Sequence, residues 1–525
     1  MNERIRLRAM RGIAAVLLGC LASTGVAAEA NTAAPCEAGS YAMADGSALD
    51  IAAAEPGQLR WRRTDGRSGA LKPQGHGRWT STLGWTDKPD GHRVTIRDCG
   101  RDGLRFDAIK GKRIALVQTD TRFEGSGVEL AGRLTLPPGE GRVPIVVLVH
   151  GAEHTSALER YSLQREFASQ GIGVFAYDKR GTGTSGGRYT QDYLTLAVDA
   201  IHALHEAQRL AGARAGRIGY QGGSQGGWVV PLAARIESVD FAIICFGLAV
   251  SPLDEDREAI ASDLQRAGFD SDAQAKAMTI SDAAAAIVES GFSEGYDRLA
   301  EVKAKFGNEP WFKSVRGNIS GYLLETPVDT LRKDGRALVE GIPVRYDPMP
   351  VLHNLSVPQL WILGGQDRDA PPVETLHRLA ALQADGRPIT TALFPNAEHG
   401  MYEFETKPDG ERPSTRQPQG YLDLMSDERW RRVLPALMML KMHDRHIAAV
   451  EQRLSSEQSA LCGAILQRGI DEGKVDATLD LDTLMALLTG PVLMAGLTST
   501  TPLDEHFVDD VVEHFLAGAR PRASR

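Results

Sequence analysis

A chain of 525 residues, 42% hydrophobic and 24% charged, has enough apolar side chains for a large core and enough length for several domains, which excludes a disordered or fibrous protein. Its 59 Lys and Arg against 68 Asp and Glu leave a formal charge of -9, and no basic block is long enough to follow a phosphate backbone, so nucleic acid is not an expected partner. Neither an H-E-x-x-H pair nor the G-x-x-x-x-G-K-[ST] spacing occurs, so no metal site and no phosphate cradle are expected.

Arg4, Arg6, Arg8 and Arg11 precede the apolar run IAAVLLGCLA, and the small residues of VAAEA offer cleavage after Ala28 or Ala30. Residues 1–30 therefore read as a secretory signal peptide, the run being too short for a transmembrane helix. The expected location is periplasmic or secreted. LLGC leaves an alternative in which Cys20 heads a lipid-anchored product of the cell envelope, although Leu18 matches that signal poorly. Export would expose the chain to oxidising conditions. Cys36 and Cys99, which bracket the first folded region, are then expected to form a disulfide, whereas Cys245 in FAIICFGL reads as a small buried hydrophobe and Cys462 also has apolar neighbours.

Residues 31–120 show short alternating segments, QLRWRR, RVTIRDC and KRIALVQTD, separated by Gly, Asp and Pro turns, as expected of a small β domain. VELAGRLTLP then enters a larger sheet, and PIVVLVHG is a continuous apolar run of the kind found in a strand covered on both faces. Strand and helix alternate through YSLQREFASQG, IGVFAYD, YTQDYLTLAVDAIHALHEAQRLAG, RIGYQG, GGWVVPLAARI and FAIICFGLAV, the pattern of a doubly wound α/β sheet. Charged helical segments replace the alternation over 251–350, which reads as a helical cap. The sheet resumes at PQLWILGGQD and ITTALFPNAEHG, and an amphipathic helix is expected over 427–446. The expected catalytic domain is thus 121–250 with 351–446, followed by a helical region at 447–525.

The pattern G-x-S-x-G occurs around Ser185, Ser224 and Ser293. A nucleophile elbow needs a strand before the serine and a helix after it, because the turn lifts Oγ out of the chain and the helix start supplies N–H groups. Ser224 lies between RIGYQG and GGWVVPLAARI. Ser185 sits in the Gly/Thr loop GTGTSGG, and Ser293 falls between two cap helices. A serine hydroxyl also needs an imidazole to take its proton and an acid to orient that imidazole. Asp367 follows the strand LWILGGQ and His399 follows TALFPNAE, both after the serine in chain order. Asp369 is the nearest rival acid, and Glu398 reads as a rim residue. Two backbone N–H groups should hold the oxyanion: Gln225, after the serine, and Ala152, in HGAEHTS after the early strand. Glu153 and His154 either face substrate or are solvated.

Together VLVHG, YDKRGTGTSGG, GYQGGSQGGW, LGGQDRDAPP and NAEHG resemble the α/β-hydrolase superfamily, and more narrowly bacterial carboxylesterases with a small N-terminal β domain, close to the serine aminopeptidase group. The resemblance covers about 120–445 and implies Ser224 as nucleophile, Asp367 as acid, His399 as base, a cap at 251–350, and hydrolysis of short acyl or aryl esters without a cofactor. Gly223 stands before the serine where His is common, which predicts extra room beside Oγ. The segments AILQRGIDEGKV, LDTLMALLTGPVLMAGL and FVDDVVEHFLAGA resemble the C-terminal helices of tetracycline-repressor-type regulators, which implies a homodimer but no DNA binding, since no DNA-reading segment accompanies them. Two rival functions remain at this point: a serine peptidase or amidase, and a binding protein on the same scaffold.

Overall fold

The computed structural model describes residues 35–426, apart from positions 55, 56, 102 and 339, and short stretches within 466–519. The expected signal peptide, Cys20, Cys462 and the helix over 427–446 lie outside the described residues. The chain divides into two compact units, 1–426 and 427–525.

The first unit begins with an eight-stranded closed barrel: β1 Gly39–Met43, β2 Ala48–Ala53, β3 Leu59–Arg63, β4 Ser68–Pro73, β5 Arg78–Thr82, β6 Pro89–Ile96, β7 Leu104–Phe106 and β8 Ile109–Arg113. Consecutive strands pair antiparallel, and β1 pairs with β8 to close the ring and remove its edges. Alternation decides what faces inward. Leu59 and Trp61 enter a core with Tyr41, Leu49, Ile51, Leu71 and Phe106, and the Trp61 indole donates to Ser81 Oγ at 2.7 Å.

The charged side chains on the other face of β3 are used against the neighbouring domain. Arg60 donates to the Arg160 carbonyl at 2.9 Å, and Arg62 donates to Ser162 Oγ at 2.8 Å and to the Tyr402 hydroxyl at 3.1 Å. Asp50 on β2 receives a two-pronged bond from Arg165, at 2.6 and 3.0 Å, in the short helix α1 Leu163–Ala168.

KRIALVQTD spans the junction between barrel and sheet: Arg113 ends β8, and Val117 begins β9 Val117–Glu124. β9 and β10 Glu129–Leu136 form an antiparallel hairpin on the edge of a second sheet. Its remaining strands are β11 Val143–Val149, β12 Gly173–Tyr177, β13 Ala215–Gly223, β14 Phe241–Cys245, β15 Gln359–Gly364 and β16 Ile389–Phe394. The order is β16-β15-β14-β13-β11-β12-β10-β9, with β11 to β16 mutually parallel. This is an α/β-hydrolase-type sheet. Strands β12 and β15 are buried along their whole length, and α2 Tyr193–Ala211 and α3 Gly226–Ile236 are among the helices that pack on the sheet. Asp192 caps α2 by accepting from Thr195 N at 2.7 Å.

Between β14 and β15 stands the helical cap, whose main helices are α4 Pro252–Arg266, α5 Ser271–Glu289, α6 Tyr296–Phe306 and α7 Val328–Leu338. It has its own core of Ile260, Ile280, Leu299, Trp311 and neighbours. Asp256 on α4 is fully buried, yet its carboxylate accepts from Ser281 Oγ, Ser320 Oγ and the Ile319 and Ser320 N–H groups, which ties three cap segments to one charge. A last sheet helix, α8 Val373–Ala384, joins β15 to β16.

In the second unit, α9 Glu505–Ala519 packs Ala519 with Leu466, Val475 and Leu484. Among the described residues no helix is long and apolar enough to cross a membrane.

The expected disulfide between Cys36 and Cys99 is present. Cys99 lies in the turn between β6 and β7, so the bridge ties the N-terminal entry of the barrel to that turn while β1–β8 pairing closes its ends. Cys245, the free cysteine among the described residues, is buried in β14 as its apolar surroundings predicted, and burial pushes its thiol up to about 11. A cross-link over a sequence separation of 63 residues removes much loop-closure entropy from the unfolded chain, worth about 4 kcal/mol in the chain-entropy description. Replacing both cysteines by serine is expected to lower barrel stability by about 2–5 kcal/mol in urea unfolding followed by tryptophan fluorescence. An unchanged midpoint would mean that strand closure alone holds the barrel.

Candidate active site

Strands β11 and β13 are parallel neighbours, with Val149 paired to Gly222, so the chain leaves both strands side by side at the carboxyl edge of the sheet. From β13 it passes through Ser224 directly into α3. Ser224 has φ 52°, a left-handed conformation that costs a non-glycine residue energy and persists only where the surroundings enforce it. Two bonds do so: Ser224 N–H donates to the Cys245 carbonyl at 3.1 Å, and Gly227 N–H donates to the Ser224 carbonyl at 2.7 Å. Gly222 must lack a side chain, because a Cβ there would sit 2.7 Å from Val230 and 2.9 Å from the Gly226 carbonyl.

Ser224 Oγ lies 3.1 Å from His399 Nε2, and His399 Nδ1 lies 3.0 and 3.2 Å from the carboxylate oxygens of Asp367. Asp367 follows β15 and is buried; its Oδ1 also accepts from the N–H groups of Asp369 and Ala370 at 3.0 and 2.8 Å, which fixes its orientation. His399 follows β16 in a tight loop closed by Glu398 N–H donating to the Tyr402 carbonyl at 2.9 Å. Asp369, the rival acid, lends its carbonyl to Asn318 at 2.7 Å, and burial pushes its carboxyl above the usual range. Glu398 is likewise pushed up, to about 7, by burial, against the opposing pull of Arg412.

The other two serines have different partners. Ser185 Oγ donates to the Asp178 carbonyl at 2.5 Å and accepts from Ala131 N–H at 2.9 Å, fastening the glycine-rich loop to β10. Ser293 Oγ donates to the Ser290 carbonyl at 2.7 Å in an exposed cap turn.

Gln225 directly follows Ser224 and Ala152 lies in the turn after β11, and neither backbone N–H meets an acceptor among the described residues. The Gln225 side chain donates to Gln191 at 2.9 Å. Glu153 and His154 are both partly exposed: Glu153 accepts from the Tyr161 hydroxyl, and His154 stacks on Tyr189 with ring centroids 3.6 Å apart. Burial works against the Glu153 carboxylate, but His150, Lys179 and Tyr161 outweigh it and hold it below the usual carboxylate range.

The expected space beside Gly223 is filled. A Cβ there would stand 2.5 Å from the Phe246 ring, which lies edge-on to the His399 ring at 4.9 Å between centroids. Phe246 reaches this position because the chain turns at φ 41° immediately after β14. The glycine therefore admits a protein side chain that walls the imidazole, in place of substrate room. In the sequence Phe246 is one apolar residue among many in FAIICFGL.

From the cap, Glu255 on α4 approaches the same imidazole. It accepts from Asn318 at 3.0 Å, and burial pushes its carboxyl well above the usual range, with His399 opposing and Asp369, Asp256 and Asp367 adding to the rise. Among the described residues no group of three or more His, Cys, Asp or Glu is placed to hold a metal ion.

Comparison with known proteins adds two matched segments. Residues 142–267 match the family described as serine aminopeptidase, S33, and residues 417–515 match the tetracyclin repressor-like C-terminal domain. The esterase FrsA of Enterobacter sp. (strain 638) is 32% identical over 139 residues, which are 26% of this chain and 33% of that protein, so the chain spans about a third of that relative's length. Among solved structures, an esterase of Pyrococcus furiosus aligns with TM-score 0.37 at 15% identity over 55% of this chain and 84% of its own. The acylaminoacyl peptidase of Pyrococcus horikoshii aligns with TM-score 0.36 at 16% identity over 73% and 56%.

Burial disfavours a charged His399, but the Asp367 carboxylate, its hydrogen bond and the nearby Asp369 and Glu255 outweigh that and push the imidazole up to about 9. A base must be neutral to accept a proton, so the competent fraction grows as pH rises through the folded value. kcat/KM for a neutral ester is therefore expected to climb above neutral pH, with its acid limb displaced upward from the ordinary imidazole value of about 6.5. Asp367→Asn should move that limb down and lower kcat by about four orders of magnitude. A limb at the ordinary imidazole value in the parent protein would contradict the electrostatic reading.

Proposed function

We propose that this protein is an exported serine carboxylesterase that hydrolyses short-chain or aryl esters through an acyl-enzyme. Ser224 Oγ attacks the ester carbonyl while His399 Nε2 takes its proton, and Asp367 holds the imidazole in place and stabilises its charge. The oxyanion is received by the N–H groups of Gln225 and Ala152. His399 returns the proton to the departing alcohol, then activates a water that releases the acid and restores Ser224. The observation that carries this reading is the unbroken chain that starts from Ser224 Oγ, on a serine at positive φ, and runs to His399 at 3.1 Å and on to Asp367 at 3.0 Å. The Cys36–Cys99 disulfide supports export, since such bonds persist in oxidising compartments.

Ester is preferred to peptide on one ground, the 32% identity of 139 residues to the esterase FrsA of Enterobacter sp. (strain 638). The likeness of 417–515 to repressor-type helices supports a homodimer.

Ser224→Ala is expected to lower kcat/KM on p-nitrophenyl acetate or butyrate by about 10⁴–10⁶-fold without unfolding the protein, since the covalent route disappears. Full activity in the folded variant would overturn the mechanism, and faster turnover of aminoacyl arylamides than of aryl esters by the parent protein would favour the peptidase. Sedimentation of the full chain should give a dimer, and a monomer at micromolar concentration would remove the assembly role of the C-terminal helices.

A further inference from the structure

Lys179 follows β12 in YDKRGTG, where a basic residue in a glycine-rich loop would ordinarily be solvated, yet it is 1% exposed. Burying an ammonium is costly unless it is paired, and an apolar side chain would fill the same volume without that cost. Its Nζ donates to the Gly151 carbonyl at 2.6 Å and lies 4.6 Å from the centre of the Tyr189 ring.

The Gly151 carbonyl belongs to the same peptide group as the Ala152 N–H. In a trans peptide the two point in opposite directions, so whatever fixes the carbonyl fixes the N–H. The other groups of this turn are held as well: Gly151 N–H donates to the Tyr161 hydroxyl at 3.4 Å, and the Tyr189 hydroxyl donates to the Ala152 carbonyl at 2.7 Å. Of the four backbone polar groups of Gly151 and Ala152, the Ala152 N–H alone has no partner among the described residues.

We propose that Lys179 is a positioning residue for the oxyanion site: by binding the Gly151 carbonyl it turns and polarises the Gly151–Ala152 peptide, so that the Ala152 N–H faces the oxygen of the carbonyl attacked by Ser224. A cation on the carbonyl oxygen draws density from the amide nitrogen and makes the N–H a stronger donor. The effect grows where negative charge develops, so it acts on the transition state more than on the bound ester. Burial lowers the Lys179 ammonium to about 8, with Glu153 opposing, which leaves most of it charged at neutral pH. This inference rests on the acyl-transfer reading above.

The test compares the parent protein with Lys179→Met, Lys179→Gln and Lys179→Arg, each checked for folding by circular dichroism. The readouts are kcat and KM on p-nitrophenyl butyrate and the inhibition constant of an aryl trifluoromethyl ketone, whose adduct with serine carries an oxyanion. Lys179→Met is expected to lose about 10–100-fold in kcat, less than removal of an oxyanion donor outright, with KM within about twofold. Ketone affinity should fall by the same factor, and Lys179→Arg should recover part of both. If Lys179→Met does not fold, Lys179→Gln, which keeps a neutral donor, should still lose kcat at unchanged KM. Unchanged kcat in either folded neutral variant overturns the proposal, as does a loss of kcat that leaves ketone affinity untouched. A parent protein without Ser224-dependent turnover would overturn the acyl-transfer reading first, and this proposal with it.

Discussion

The site depends on the left-handed turn at Ser224. A parallel strand delivers the chain to the carboxyl edge of the sheet, and a helix must start at once; only a residue at positive φ reverses the path in so few bonds. That turn leaves no volume for side chains at Gly222 and Gly223, and the space at Gly223 is taken by Phe246, which in turn walls the imidazole. The glycines, the aromatic wall and the direction of Oγ are therefore one steric solution. The bonds to Cys245 and from Gly227 keep it in place.

Electrostatics is layered on this frame. Asp367 is oriented by two N–H groups of its own loop before it meets His399, and the cap adds Glu255. The acids around the imidazole all favour its charged form while burial resists it. The same low-dielectric surroundings would strengthen a hydrogen bond from Ala152 or Gln225 to a developing oxyanion.

Much of this was legible in the chain because each of Ser224, Asp367 and His399 comes at or shortly after the end of a strand: β13 runs straight into Ser224, β15 ends three residues before Asp367 and β16 five residues before His399. In the proposed oxyanion site Gln225 and Ala152 act through the backbone, so position in the chain rather than side-chain type marked them out. Alternation in QLRWRR gave β structure in the N-terminal region, but closure into a barrel depends on β1 meeting β8, a long-range pairing that no local pattern encodes. Lys179 and Glu255 escaped notice for a related reason. Charged residues in a loop or on a cap helix read as solvated, and only the tertiary fold buries Lys179 and brings Glu255 near the imidazole. Gly223 misled in the other direction, since an absent side chain reads as open space and nothing local in the sequence shows that Phe246 fills it.

Tyr402 links two features set out separately. Its carbonyl closes the His399 loop, and its hydroxyl receives Arg62, which projects from the wall of the barrel. The N-terminal barrel is thus a brace for the imidazole's loop, some 340 residues away along the chain. A change that shifted the barrel on the sheet would be felt first as a change in where the His399 imidazole sits, so the two domains behave as one mechanical part.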